Sequence, residues 1–429
     1  MRFARGISPM KLVVLLLAMC LLPNAWATDM LVMSGAQYNM SATGSEYAGV
    51  SGTEEGTRAD GWASEFGGTT SRMGLVSTAG TFKNLRVTVS AAPGAGKSYT
   101  FTLRKNQADA ALTCAISGAS ATSCADSSNT VSYVGGDSVS MEQTPAGTPT
   151  AVQGRFTAMF TPDTANETLL IGGTTSDGNS TTASRDVALH SPGSQSATLT
   201  LHQTVLPMSA TAKNLYVKLA VAPGAGTTRT FTVQKNGTNT TVTCSISDTA
   251  TTCSDTANSF TVVAGDTVNL VNAIGAGAPS GGASAVGLTL ATTTAGDFGV
   301  YGSFDVSTTA TVYIEAAVGE GVPTATESSN TVLAQTCTAS SLYVTLSGSP
   351  GAGKSYAFTL RQDSAATDLT CTVSETGTTC NDSGSAAVAN DDLMAYESVP
   401  SGTPTGRFVR AGFLCNISAA AARRVFLVN

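Results

Sequence analysis

Leu85 to Asn106 reads LRVTVSAAPGAGKSYTFTLRKN, and the block returns twice in the chain. From Leu215 it reads LYVKLAVAPGAGTTRTFTVQKN, and from Leu342 LYVTLSGSPGAGKSYAFTLRQD, at offsets of 130 and 127 residues. Inside each block apolar side chains alternate with polar ones. Leu85, Val87 and Val89 fall on one face and Arg86 and Thr88 on the other; Tyr99, Phe101 and Leu103 oppose Thr100 and Thr102. A period of two over five to seven residues marks a half-buried strand. Between the two strands lies Pro-Gly-Ala-Gly, read as a hairpin turn because proline fixes φ and glycine supplies positive φ.

The repetition extends beyond this block. LTCAIS, VTCSIS and LTCTVS follow, each with a second cysteine nine or ten residues after the first, and then VGGDSVSM, VAGDTVNL and VANDDLMA. Gly136-Asp137, Gly265-Asp266 and Asn390-Asp391 are turn-formers at matching places. The apolar runs predict about eight to ten short strands per copy, spaced as in a two-sheet sandwich or barrel. A period this long is no solenoid, and each copy is large enough for its own core. The expected fold is all-β: three tandem antiparallel β-sandwich, jelly-roll-like domains over 28–163, 164–291 and 292–418. A signal peptide over 1–27 precedes them and a C-terminal tail over 419–429 follows.

The N-terminus carries that signal pattern. Arg2, Arg5 and Lys11 precede an apolar run from Leu12 to Leu22, and Ala25-Trp26-Ala27 supplies the small-residue cleavage site. A secreted or cell-surface location is expected, with no membrane span elsewhere. Without its signal the chain goes from a net charge of −7 to about −10, which makes nucleic acid an unsuitable partner.

Eight cysteines remain beyond the signal, enough for 105 pairings. Recurrence within each copy reduces these to Cys114–Cys124, Cys244–Cys253 and Cys371–Cys380, read as bonds across hairpins. Cys337 and Cys415 are left for each other. Zinc lacks ligands, since only His190 and His202 are present, and both read as surface or strand residues. No cofactor is expected. Calcium is the one ion with some support, from Asp126, Asp255 and Asp382 beside Asn129, Asn258 and Asn381, although Asp and Asn also simply form turns.

Gly348-Ser-Pro-Gly-Ala-Gly-Lys-Ser355 matches the P-loop pattern. The strand YAFTLR follows it where a helix is needed, and the other copies depart from the pattern, so nucleotide binding is not expected. Neither a metalloprotease helix motif nor a nucleophile elbow occurs. The chain is not expected to be an enzyme. Glu54, Glu55, Asp60 and Glu65 cluster in copy one and read as a solvated loop rather than a glycosidase pair. Trp62 lies in the same segment, with Tyr47 close by. An aromatic beside carboxylates can stack on a sugar, so Trp62, Tyr47, Glu54, Glu55 and Asp60 form the candidate binding site.

The order of features resembles the jelly roll of the complement and tumour-necrosis-factor superfamily. A strand ends in Lys-Asn-Gly (Phe231 to Gly237), Gly-Asp-x-Val-x-Leu follows (Gly265 to Leu270), and a final strand closes each copy (Arg155 to Phe160, Arg407 to Leu414). Low aromatic content, the extra cysteine pair and the missing collagen stalk depart from that family. The resemblance implies self-association into a trimer, or a pseudo-trimer of the three copies, and ligand binding at the surface. The functional expectation is a secreted or cell-surface structural or adhesive protein. The alternative is a protein binding glycans or a surface receptor.

Overall fold

The computed structural model describes residues 30–51, 65–67, 70–174, 179–193, 195–199, 202–275, 277–321, 323–327, 331–332 and 335–417. The signal segment, the tail, Trp62, Glu54, Glu55 and Asp60 lie outside the described residues. Each copy contributes eight principal strands. In copy one they are β1 (Met30–Asn39), β2 (Glu46–Ala48), β3 (Gly80–Val89), β4 (Gly94–Lys105), β5 (Ala108–Gly118), β6 (Ser123–Tyr133), β7 (Ser138–Ala146) and β8 (Gln153–Pro162). Copy two has β9 (Glu167–Thr174), β10 (Arg185–Val187), β11 (Ala210–Leu219), β12 (Gly224–Lys235), β13 (Thr238–Asp248), β14 (Thr252–Val262), β15 (Thr267–Ile274) and β16 (Ser284–Thr292). Copy three has β17 (Asp297–Asp305), β18 (Val312–Glu315), β19 (Cys337–Leu346), β20 (Gly351–Gln362), β21 (Ala365–Glu375), β22 (Thr379–Val388), β23 (Leu393–Ser401) and β24 (Phe408–Asn416).

The sheets of copy one run β1-β8-β3-β6 and β2-β7-β4-β5, and the other copies repeat both orders. First strand pairs with last, second with seventh, third with sixth and fourth with fifth. This is an antiparallel ribbon wrapped into two sheets, the jelly-roll arrangement. The chain is therefore three antiparallel β-sandwiches in tandem. No helix among the described residues is long and apolar enough to cross a membrane.

Alternation along the strands builds the cores. Leu85, Val87, Tyr99, Phe101 and Leu103 are all buried between the sheets of copy one. Leu215, Val217 and Phe231 do the same in copy two, and Leu342, Val344, Tyr356 and Phe358 in copy three. A bulge interrupts β3 after Lys83, with Asn84 at φ 52°. Asn214 and Ser341 repeat it at φ 55° and 53°.

Two expected hairpins are not hairpins. Strands β3 and β4 belong to opposite sheets, so Ala91 to Pro93 carries the chain across the sandwich. Gly94 and Gly96, at φ 108° and 71°, lie within β4, at the bulge where its register with β5 shifts. Likewise β5 and β6 lie in opposite sheets, so the segment between Cys114 and Cys124 crosses between them. The real hairpin joins β4 to β5. Its central residues Asn106 and Gln107 both have positive φ, as do Asn236-Gly237 and Asp363-Ser364, which is the primed-turn geometry that fits the strand twist.

Cys114–Cys124, Cys244–Cys253, Cys371–Cys380 and Cys337–Cys415 are bonded. Since β5 and β6 are edge strands of different sheets, each local bond staples one sheet to the other at the open side. An aspartate makes a second fastening beside it. Asp126 on β6 accepts the backbone N–H of Thr113 on β5 at 3.0 Å, and those of Ser128 and Asn129. Asp255 and Asp382 do the same with Thr243 and Thr370. Burial works against the charge of Asp126, but the hydrogen bonds from Asn129, Thr113 and Ser128 outweigh it and hold its carboxyl at about 2. These carboxylate oxygens are spent on N–H donors. No group of three or more His, Cys, Asp or Glu among the described residues is placed to hold a metal.

Each sandwich touches both of the others, through equivalent surfaces. Between copies one and two, the Tyr216 ring lies on Gly135 and Gly136; a β-carbon on Gly135 would come within 2.6 Å of its hydroxyl. Met73, Leu75 and Ala285 pack beside it, and the Ser77 hydroxyl meets that of Thr289 at 2.8 Å. Between copies two and three, Tyr343 lies on Gly265, and Gly412 is pressed against the Val205 carbonyl. Between copies three and one, the matching positions are Arg86 and Asp391, joined at 2.7 Å. There Arg155 also reaches the fully buried Glu315 at 3.1 Å, and Met159 enters the core of copy three.

Candidate functional site

Tyr47 is the one proposed binding residue that the structure describes. It stands on β2 opposite Glu142 of β7, and its hydroxyl donates to the Glu142 carboxylate at 3.4 Å. The Arg104 guanidinium, on β4, lies over the Tyr47 ring at 5.3 Å. Arg104 also donates to Glu142 at 2.8 Å and to Glu65 at 3.2 Å. Glu65 accepts a further bond from the Ser140 hydroxyl at 2.7 Å. The solvated-loop reading of Glu65 is therefore corrected. It is buried and held to the sheet by Arg104 and Ser140.

The same clasp recurs in copy three. Arg361 donates to Glu327 at 2.9 Å, lies 3.6 Å from Glu397, and covers the Tyr313 ring at 5.6 Å. The Tyr313 hydroxyl donates to Glu397 at 3.1 Å. In copy two the arginine position is Gln234 and the tyrosine position Asp186, joined through the Asn269 amide at 3.1 and 2.9 Å. A cavity of about 270 Å³ opens there beside Arg185, Leu199 and Gly237.

Burial disfavours the Arg104 charge, but Glu65, through its hydrogen bond and its charge, and then Glu142 reverse that and hold its pKa above the usual range. Burial raises the Tyr47 phenol, with Glu142 adding to it. The arrangement is an electrostatic clamp: a guanidinium holding two carboxylates and a ring on the outer face of a sheet. Replacing Arg104 by alanine would leave Glu65 and Glu142 semi-buried without their cation. The expected loss is about 2–3 kcal/mol, toward the lower end for a buried pair because water still reaches the cluster. Urea unfolding of Arg104→Ala against Arg104→Gln checks it. Glutamine, which stands there in copy two, should cost less.

Both histidines are corrected as well. His190 and His202 are buried at the contact between copies two and three. His190 bonds Thr204 through Nδ1 at 2.8 Å and Ser303 of copy three through Nε2 at 3.4 Å. Arg410 of copy three is buried close by. Burial, then the Arg410 charge, then His202 press His190 down to about 3; burial and Arg410 do the same to His202, also to about 3.

Sequence reading missed the clasp, although its signal is present. Arg104 and Arg361 occupy equal places in the repeated block, and Glu142 and Glu397 follow at equal places on the seventh strand. It also missed Tyr216 and Tyr343, aromatic residues on the polar face of their strands.

No family model matches the chain, and no curated protein matches it. Among solved structures it is similar to one described as the triple jelly-roll fold and turret assembly of an archaeal virus. That match is at 10% identity and a TM-score of 0.19, covering 80% of this chain and 82% of that one. At that score the likeness carries no weight here, and the jelly-roll assignment rests on strand order.

Proposed function

We propose that the chain is a secreted or cell-surface structural or adhesive protein, working as a single-chain pseudo-trimer without a cofactor or catalytic role. One observation carries this reading: each sandwich contacts both others through the same surfaces. The result is one closed assembly of three repeated units. Stapled sandwich edges and hydroxyl ladders on the outer sheets, such as Thr232–Thr243 at 2.8 Å and Thr359–Thr370 at 3.2 Å, suit an exposed framework. The four disulfides fit an oxidising compartment.

Electron microscopy of the purified mature chain tests the proposal. Filaments or sheets are expected at high concentration. Dispersed particles that never assemble, or turnover of any substrate class, would overturn it. The alternative of a glycan or receptor ligand draws on the Tyr47–Arg104 clasp and on Trp62, which lies between Tyr47 and Glu65 in the sequence. Binding on a glycan array that Trp62→Ala abolishes would favour that alternative.

A further inference from the structure

Three equivalent contacts join the sandwiches, but only two are backed by a linker. Residues 163–166 connect copy one to copy two, and residues 293–296 connect copy two to copy three. No linker ties copy three to copy one. That contact is also chemically different. Where Tyr216 and Tyr343 cover glycines, Arg86 faces Asp391 with both side chains partly in water. Where Ala285 packs on Met73 and Leu75 at the first contact, and Arg410 lies beside His190 and His202 at the second, Arg155 meets a carboxylate, Glu315, at the third. Cavities of about 260 and 340 Å³ flank Arg86 at this contact, one beside Met159 and Asn390, the other beside Ser123 and Leu393. The unlinked contact thus closes on two ion pairs, one of them at a rim open to salt, with cavities beside it.

We infer that this contact is exchangeable, and that its second partner is another copy of this chain. Copy three of one molecule docks on copy one of the next through Glu315–Arg155 and Asp391–Arg86. The surfaces are head-to-tail, so the contact closes within one chain or propagates between chains with the same chemistry. Short linkers favour closure, because they hold the partner at an effective concentration on the order of millimolar. Propagation takes over when chains are crowded or the closing pair is broken. The inference rests on the structural reading above and supplies its mode of assembly.

Complementary charge reversal tests it. Arg155→Glu puts two carboxylates at the closing contact, and Glu315→Arg puts two guanidinium groups there. Neither variant can close on itself with a matched pair. Mixed, the first chain offers Glu315 to Arg155 of the second, which is the native pair. Light scattering behind size exclusion should give single-chain mass for each variant alone and at least twice that mass for the mixture. A chain carrying both substitutions should return to single-chain mass. If either buried-site variant fails to fold, Arg86→Glu mixed with Asp391→Arg poses the same question at the exposed rim. A mixture that stays at single-chain mass overturns the inference. Filaments of the wild type alongside such a result would leave the structural reading standing and move assembly to another surface. Paired variants without wild-type filaments would do the reverse.

Discussion

Replacing Cys337 and Cys415 together by alanine is expected to cost the third sandwich about 4.5 kcal/mol, the largest single loss from removing any of the four bonds. The bond closes a separation of 78 residues, against nine or ten for the others. Chain entropy then gives about 4.5 kcal/mol for the long loop and about 2.7 for each short one. The packing argues the same way. In copy one the matching positions are Gly80 and Phe160, with the Phe160 ring seated over the glycine. Phe160 packs on Phe82 with the rings tilted, and Phe82 meets Tyr133 edge to face, the centroids 5.0 Å apart in each pair. In copy three those aromatic places are Ala339, Val388 and Cys415. The covalent bond therefore stands where copy one has an aromatic cluster, and its removal leaves small side chains in its place. Hydrogen exchange of peptides from β19 and β24 reads the loss locally, which matters because three domains need not unfold as one. Equal or smaller protection loss than in Cys114→Ala/Cys124→Ala would refute the ranking.

Acid is expected to loosen the contact between copies two and three before it unfolds the sandwiches. His190 and His202 stay neutral in the folded chain down to about 3, whereas unfolded histidine takes up a proton near 6.5. Between those values the unfolded chain binds more protons, so stability falls as pH falls. The slope is about 1.4 kcal/mol per pH unit for each histidine. Asp126 and its counterparts act lower down. With folded values below the usual range, they lose their contribution only as pH drops below about 4. Glu46, Asp186, Asp297 and Asp305 oppose both, since burial raises them and their protonation favours the fold. The window below 6.5 is therefore one in which the histidines lower stability and the raised carboxylates partly offset them. Thermal unfolding across it should show a steep decline, and His202→Leu should roughly halve the slope. An unchanged slope in that variant would count against the assignment.

Much of the fold is legible in the chain, for identifiable reasons. Leu85, Val87 and Val89 mark their buried face because a strand repeats every two residues and all three side chains turn into the core. The local cysteine pairs follow from their recurrence. What alternation does not encode is the sheet to which a strand belongs. Alternation therefore suggests a hairpin between Cys114 and Cys124, whereas the pair bridges two sheets. Asn106 and Gln107 carry the real turn, in a pair of which only the asparagine signals positive φ. The clasp was hidden because Arg104 and Glu142 are 38 residues apart and meet only once β4 and β7 pair. The histidines and Tyr216 misled for another reason. A residue on the polar face of one sandwich is buried when a second sandwich covers it, and no period within a single copy records that neighbour.

The first and last strands of every sandwich lie side by side. Met30 faces Phe160, Glu167 faces Ala291, and Asp297 faces Asn416. The chain thus comes in and goes out of each unit at one corner. A tug on the two ends of a unit peels this pair apart one hydrogen bond at a time, at about 1 kcal/mol each, instead of shearing all of them together. Copies one and two would unzip at low force. In copy three the first strand can still peel away, but the last cannot follow it, since Cys415 bolts it to β19 one residue inside that corner. Under mechanical load, the covalently locked sandwich is the end by which the molecule can be held.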